Sequence, residues 1–228
     1  MAYIGLRNPF VAKFNRATNT YSDGFKYSHA VSLNITPNYS EASLYGDDIQ
    51  VEYAKSFNNA SVSLGTTSTP IEAAEIMFGH TVDRANNQVV YKATDEPNYV
   101  GVGVTALEQV DGVVKYSAAI ILSVKFTDSS TAYTTKGESL QFSTPTVEGV
   151  AIATDDERWM VTKVFDTAEE ATAFVKEFLN ITEDTYTEVT PEGTENPSEL
   201  GWYEIVNGVY VLTEDTTVVS GKTYYTRD

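Results

Sequence analysis

The chain has 228 residues, 42% of them hydrophobic, which is enough to bury a core and excludes disorder throughout. A formal net charge of −17 and a pI of about 4.4 exclude a protein that grips nucleic acid by displacing its counterions. Cysteine is absent, which excludes thiolate metal sites and a cysteine nucleophile and fits synthesis in a reducing cytoplasm.

The opening MAYIGLRNPF has no basic region followed by an apolar stretch, so no signal peptide is expected. No apolar run approaches the roughly 18 residues of a membrane helix, so no membrane insertion is expected. Most of the chain then alternates with period two, the pattern of half-buried strands. In HAVSLNIT, Val31, Leu33 and Ile35 point one way, and His29 falls in the same predicted strand. Ile49, Val51 and Tyr53 repeat the pattern in DDIQVEY, and Val62 and Leu64 in ASVSLGT. Further strands are predicted at residues 99–107, 115–126, 138–154 and 158–165. Asp111-Gly112, Lys136-Gly137 and Asp155-Asp156 supply turn chemistry between them.

Two helices interrupt the strands. PIEAAEIMF (70–78) has Pro70 at its predicted first position, Thr69 as its predicted cap and Gly79 as its stop. In DTAEEATAFVKEFLN (166–180), Thr167 and Glu170 have the spacing of a capping box. Ala171, Phe174, Val175 and Phe178 then form one apolar stripe, and Asn180 ends it. Beyond residue 180 the composition shifts. Residues 181–228 hold 10 acids against 2 bases, and an acidic, turn-rich tether leads to aromatic strands at 201–206, 208–213 and 221–227. The expected organisation is a mainly β domain over 1–180 and a small Tyr-rich β appendage over 181–228. A module that short has little core of its own.

Chemistry is sparse. The paired acids of GDDIQVE (Asp47, Asp48 and Glu52) raise the question of a metal or acid–base site, but no complete oxygen-ligand loop surrounds them. GxSxG is missing. VGVGV (100–104) lacks the third glycine and the helix start of a dinucleotide loop. It reads instead as a strand lightened with glycine where something packs closely. No catalytic residue, metal ligand or cofactor is assigned, and no enzyme is expected.

Five segments, in order, carry a resemblance. They are MAYIGLRNPFVAKFN, LYGDDIQVEYAKSFNNASVSLGTTSTPIEAAEIMFGH (44–80), NYVGVGVTALEQVDGVVKYSAAIILSVKF (98–126), TTKGESLQFSTPTVEGVAI (134–152), and the run through Trp159 into DTAEEATAFVKEFLN. Together they resemble the major tail protein family of long, non-contractile-tailed bacteriophages (siphophages), over about residues 1–180. The resemblance implies a β-sandwich or barrel flanked by a helix. It implies six-fold rings stacked into a tail tube, with the genome passing through the lumen during ejection. It implies tape-measure, tail-terminator and distal tail proteins as partners, and a virion location after synthesis in the host bacterium. DNA would pass without specific binding, which an acidic wall favours. Asp47, Asp48 and Glu52 are then expected on the strand or loop after the first long hairpin, at the lumen wall or a ring contact. The alternatives for them are a solvated strand edge or a metal.

Two other readings stay open. The chain could be a cell-surface or glycan-binding β module with Trp202, Tyr203, Tyr210, Tyr224 and Tyr225 as a stacking platform, although the same rings suit a small core. It could also serve as the tube of a contractile tail or related injection machine. The appendage is expected to decorate the tube exterior.

Overall fold

A computed structural model describes residues 2–84, 86, 88–110, 112–128, 144–182, 186–189, 202–206, 209–212 and 223–227. The chain divides into two compact units, Met1–Ile181 and Thr182–Asp228. The fold is mainly β, with one clear helix and one short one.

Ten strands of the large unit lie among the described residues. They are β1 (Ala2–Asn15), β2 (Thr20–Lys26), β3 (Ala30–Gly46), β4 (Ile49–Thr66), β5 (Thr81–Asp83), β6 (Gln88–Val90), β7 (Tyr99–Val110), β8 (Val113–Phe126), β9 (Thr146–Ala151) and β10 (Met160–Phe165). Helix α1 spans Ile71–Ile76 and α2 spans Ala168–Phe178. Eight strands form one antiparallel sheet in the order β2-β1-β7-β8-β9-β4-β3, with β10 also beside β8. β5 and β6 make a separate short ribbon.

Both faces of this sheet are packed in its centre. Val11, Val62, Leu64, Val100, Val102, Ile121, Val124 and Phe126 share one buried cluster with Ala73 and Met77 of α1. β1 and β4 lie several strands apart, so they can share a core only because the sheet curls over on itself. The curl brings β1 towards β3. On the other face, Phe10, Ala12, Ala118, Ile120 and Leu122 meet Ala171, Val175 and Leu179 of α2.

A bulge in β8 produces part of this arrangement. Val102 pairs with Ile121, but Val100 pairs with Val124, so β8 carries one residue more than β7 between those pairs. The slip lets Ile121 and Val124 face the same core although their numbers differ by an odd step. It also marks a change of neighbour. Before it β8 pairs with β10, and after it with β9. The Leu122 N–H bonds Trp159 O at 3.0 Å, and Ser123 O accepts from the Ile152 N–H at 2.9 Å, so the crossing leaves these groups paired.

The glycines of VGVGV are where close packing is needed. A Cβ at Gly101 would stand 2.4 Å from Tyr21 Cε1, and one at Gly103 would stand 2.4 Å from Val175 Cγ1. Bare backbone at both sites lets Tyr21 and α2 lie flat on β7. Helix α2 starts as expected. The Glu170 N–H donates to Thr167 Oγ1 at 3.2 Å. The stripe is Ala171, Val175 and Leu179, with Phe174 and Phe178 partly covered beside it. Asn180 adopts φ 51°, the left-handed conformation of a helix stop.

Three local expectations are corrected. Pro70, not Thr69, occupies the cap position of α1, and no side chain caps that helix. The Pro70 carbonyl accepts from the Ala73 N–H at 3.1 Å, so proline opens the helix without needing an N–H of its own. Val31 does not join Leu33 and Ile35 on the core face. A register shift between Ala30 and Ser32 turns it outward. His29 precedes β3, with its backbone carbonyl accepting from the Thr67 N–H at 3.0 Å. Of the strand predicted at 138–154, residues 146–151 form β9, and 138–143 lie outside the described residues, as does the Lys136-Gly137 turn.

The small unit contains β11 (Tyr186–Val189), β12 (Tyr203–Val206), β13 (Val209–Leu212) and β14 (Tyr224–Arg227). They pair antiparallel in the order β11-β14-β12-β13. β11 lies within the stretch read as a tether. Tyr186, Thr187 and Val189 are strand formers, and their partner in β14 is far away in sequence.

Candidate assembly surfaces

β3 and β4 form a hairpin that runs well past the stretch where β4 pairs with β9. Its root, residues 30–37 and 60–66, belongs to the curled sheet, because β4 there pairs with β9 on its other side. Beyond Ala60 the hairpin is a two-stranded ribbon. Every residue from 36 to 45 and from 47 to 56 is exposed. Nine residues at a strand's rise make this arm roughly 30 Å long.

The arm carries apolar side chains that are uncovered among the described residues. Leu44, Tyr45, Ile49, Val51 and Tyr53 are all more than half exposed. A ribbon of two strands is marginal in water, and an apolar patch of this kind marks a contact surface.

A ladder of side chains ties the arm to the body. Lys55 lies 3.2 Å from Glu41, and its Nζ sits 4.2 Å from the centroid of the Tyr39 ring. Hydrogen bonds from Tyr53 and then Lys55 hold the Glu41 carboxyl below the usual carboxylate range. Tyr39 meets Phe57 edge-on at 6.0 Å between centroids. Phe57 in turn stacks on Trp159, 5.0 Å apart and 13° from parallel. Trp159 packs against the main core, so the chain of contacts runs from solvent into the body.

Asp47 and Asp48 are the turn at the arm's tip. They do not follow the hairpin, as expected from sequence, but close it. Gly46 pairs with Ile49, leaving two central residues with φ 48° and 65°. This is the two-residue hairpin turn that needs positive φ at both positions. Aspartate tolerates that conformation better than most side chains. The paired acids therefore have a backbone reason to be there. Glu52 faces Leu44 across the ladder near the tip and is exposed. All three acids gather at the end of the arm. Among the described residues, no group of three or more His, Asp or Glu side chains is arranged to hold a metal ion.

The aromatic residues of the small unit divide. Trp202 and Tyr224 are buried against each other, 4.7 Å between ring centroids. Tyr203 and Tyr225 are partly exposed and oppose each other across β12 and β14. Tyr210 lies on β13 opposite Ile205. Its side chain lies outside the described residues.

One constellation had no signal in the sequence. His80 is buried just after α1, with Nδ1 2.8 Å from Asp95 Oδ2 and Nε2 3.0 Å from Asp128 Oδ1. Each ring nitrogen therefore has a carboxylate oxygen within hydrogen-bond distance. His80 lies between the rings of Phe78 and Tyr91 at 6.0 Å and 4.3 Å. The Lys92 N–H also donates to Asp95 Oδ2 at 2.8 Å. The cluster clasps the exit of α1, the loop before β7 and the segment after β8. Its carboxylates stand far from His80 in sequence, so no spacing could reveal it.

The chain matches no protein-family model and no curated protein.

Proposed function

We propose that the chain is the tail-tube subunit of a long, non-contractile-tailed bacteriophage, forming six-fold rings that stack into a DNA-conducting tube. The observation that carries this reading is the arm: about 20 residues with apolar side chains, exposed along their whole length. Such an element suits a subunit whose neighbours cover it, because exposed apolar patches mark contact surfaces. The order of the five segments from residue 1 to residue 180 supports the same family. The net charge fits the cargo, because a ring of subunits at −17 each repels a duplex from its wall and leaves it mobile. The tape-measure, terminator and distal tail proteins are the partners this reading calls for, and the small unit is assigned to the tube exterior. Burial of Trp202 and Tyr224 uses those rings as core and gives the glycan-platform reading no added support.

Negative-stain electron microscopy of the purified chain, concentrated at moderate salt, tests the proposal. Rings or hollow tubes with six-fold symmetry are expected. Dispersed single particles at every salt and protein concentration would overturn it.

A further inference from the structure

A cleft of about 610 Å³ opens beside the turn between β1 and β2. Lys13 and Arg16 stand on its rim at the end of β1, and Lys125 near the end of β8. Arg16 Cζ and Lys125 Nζ lie 5.3 Å and 5.4 Å from the centroid of one ring, that of Tyr99. Two cations thus share one aromatic side chain. Arg16 makes one loose ion pair with Asp155, 3.6 Å apart on exposed side chains. Neither Lys13 nor Lys125 makes an ion pair among the described residues. Asp23 and Glu96 stand on the same rim and Asp155 pairs with Arg16, so the three cations are matched by three acids. In a chain of −17 a neutral patch with two lysines outside any ion pair among the described residues is the place where an acidic segment meets least repulsion. Phe14, Pro97 and Tyr99 give the cleft apolar wall.

We propose that this cleft is the socket for the arm tip of a second copy of the chain. The inference rests on the self-assembly proposed above and names the contact that drives it. The tip is complementary in charge to Lys13 and Lys125. Residues 42–54 contain Asp47, Asp48 and Glu52 and no base. It is complementary in character, because the acids are flanked by exposed Tyr45, Ile49 and Val51, which can lie against the aromatic wall. It is narrow, only two strands and a two-residue turn. A cleft with no net positive charge has no hold on a polyanion such as DNA. Lys13 and Lys125 are enough to orient an arm whose apolar surface supplies the affinity, which is the usual division of labour at an interface.

Two experiments test the socket, and the absence of native cysteine makes the first clean. Asp48→Cys and Lys13→Cys chains are mixed and mildly oxidised under assembly conditions. A disulfide joining one chain of each kind is expected, at several times the yield of an Asp48→Cys and Glu169→Cys control. In the second, Asp47→Lys/Asp48→Lys and Lys13→Glu/Lys125→Glu chains are each expected to need about tenfold more protein to assemble. Combining all four substitutions in one chain should recover most of the loss. Lys13→Gln/Lys125→Gln, a milder pair, should show a smaller loss with an unchanged circular dichroism spectrum. Normal assembly of both basic-site variants, while a chain without its arm fails to assemble, would overturn the socket and leave the tube reading standing. Failure of the unaltered chain to assemble at all would overturn both.

Discussion

Val62 and Val51 lie on the same strand, β4, in the same antiparallel hairpin. Val62 is fully buried and Val51 is 62% exposed. Backbone pairing is continuous between them apart from two register shifts. The difference is what lies against the strand. At Val62 the hairpin is part of a curled sheet, with β9 alongside and α1 in the shared core. At Val51 there is only the partner strand. Alternating apolar residues therefore continue past the point where the described residues cover them. The same alternation is core at one end of the strand and exposed at the other, which is what the proposed assembly would use.

That contrast can be broken or sharpened by substitution. The largest effect belongs to the body. Ile120→Ala removes a buried side chain between β8 and α2 and should lower stability by about 3 kcal/mol in urea denaturation. A loss under about 1 kcal/mol would mean that the core is looser than its packing indicates.

The His80 clasp comes next. His80→Ala leaves Asp95 and Asp128 without their shared partner and should lower the urea midpoint by less than Ile120→Ala does. The same clasp predicts acid sensitivity. His80 first, and then the Lys92 N–H, hold the Asp95 carboxyl below its ordinary value. Arg158 first, and then the Thr154 hydroxyl, lower Asp156 to about 2. Both folded values lie below the unfolded ones. Their contributions are therefore present above the unfolded carboxylate range and fade as pH falls through the folded values. Urea midpoints should drop between about pH 4 and about pH 2. Asp156→Asn should flatten that drop, and a profile as steep as that of the unaltered chain would remove Asp156 as a cause.

The smallest effect on the isolated chain belongs to the arm. Val51→Ser should change its stability by less than about 0.5 kcal/mol, because the side chain is exposed. The same substitution should weaken assembly. Equal assembly of the two chains, measured by light scattering against concentration, would show that Val51 contacts no neighbour.

Much of the architecture was legible in the sequence. Period two placed most strands, Asp111-Gly112 marked the β7–β8 hairpin, and Thr167 with its apolar stripe placed α2. VGVGV was readable as a tightly packed strand because bare backbone in a strand has few other uses. The bulges were not legible. Val31 and the crossing at Leu122 and Ser123 depend on which strands neighbour one another, and alternation carries no such information. The acidic cluster was half legible. Asp47 and Asp48 stood out as a pair, but their role as a positive-φ turn required the register of Gly46 with Ile49. The His80 clasp and the cleft at Lys13 and Lys125 were invisible, because each collects residues from three or more distant segments.

The claim that the arm is an intermolecular element has a direct test. Residues 40–56 are replaced by a two-residue Asn-Gly turn, which leaves the Tyr39–Phe57–Trp159 root in place. Sedimentation velocity then compares the shortened and full chains at equal concentration. The account predicts a folded monomer for the shortened chain under conditions where the full chain assembles. Assembly of the shortened chain to the same extent would contradict it.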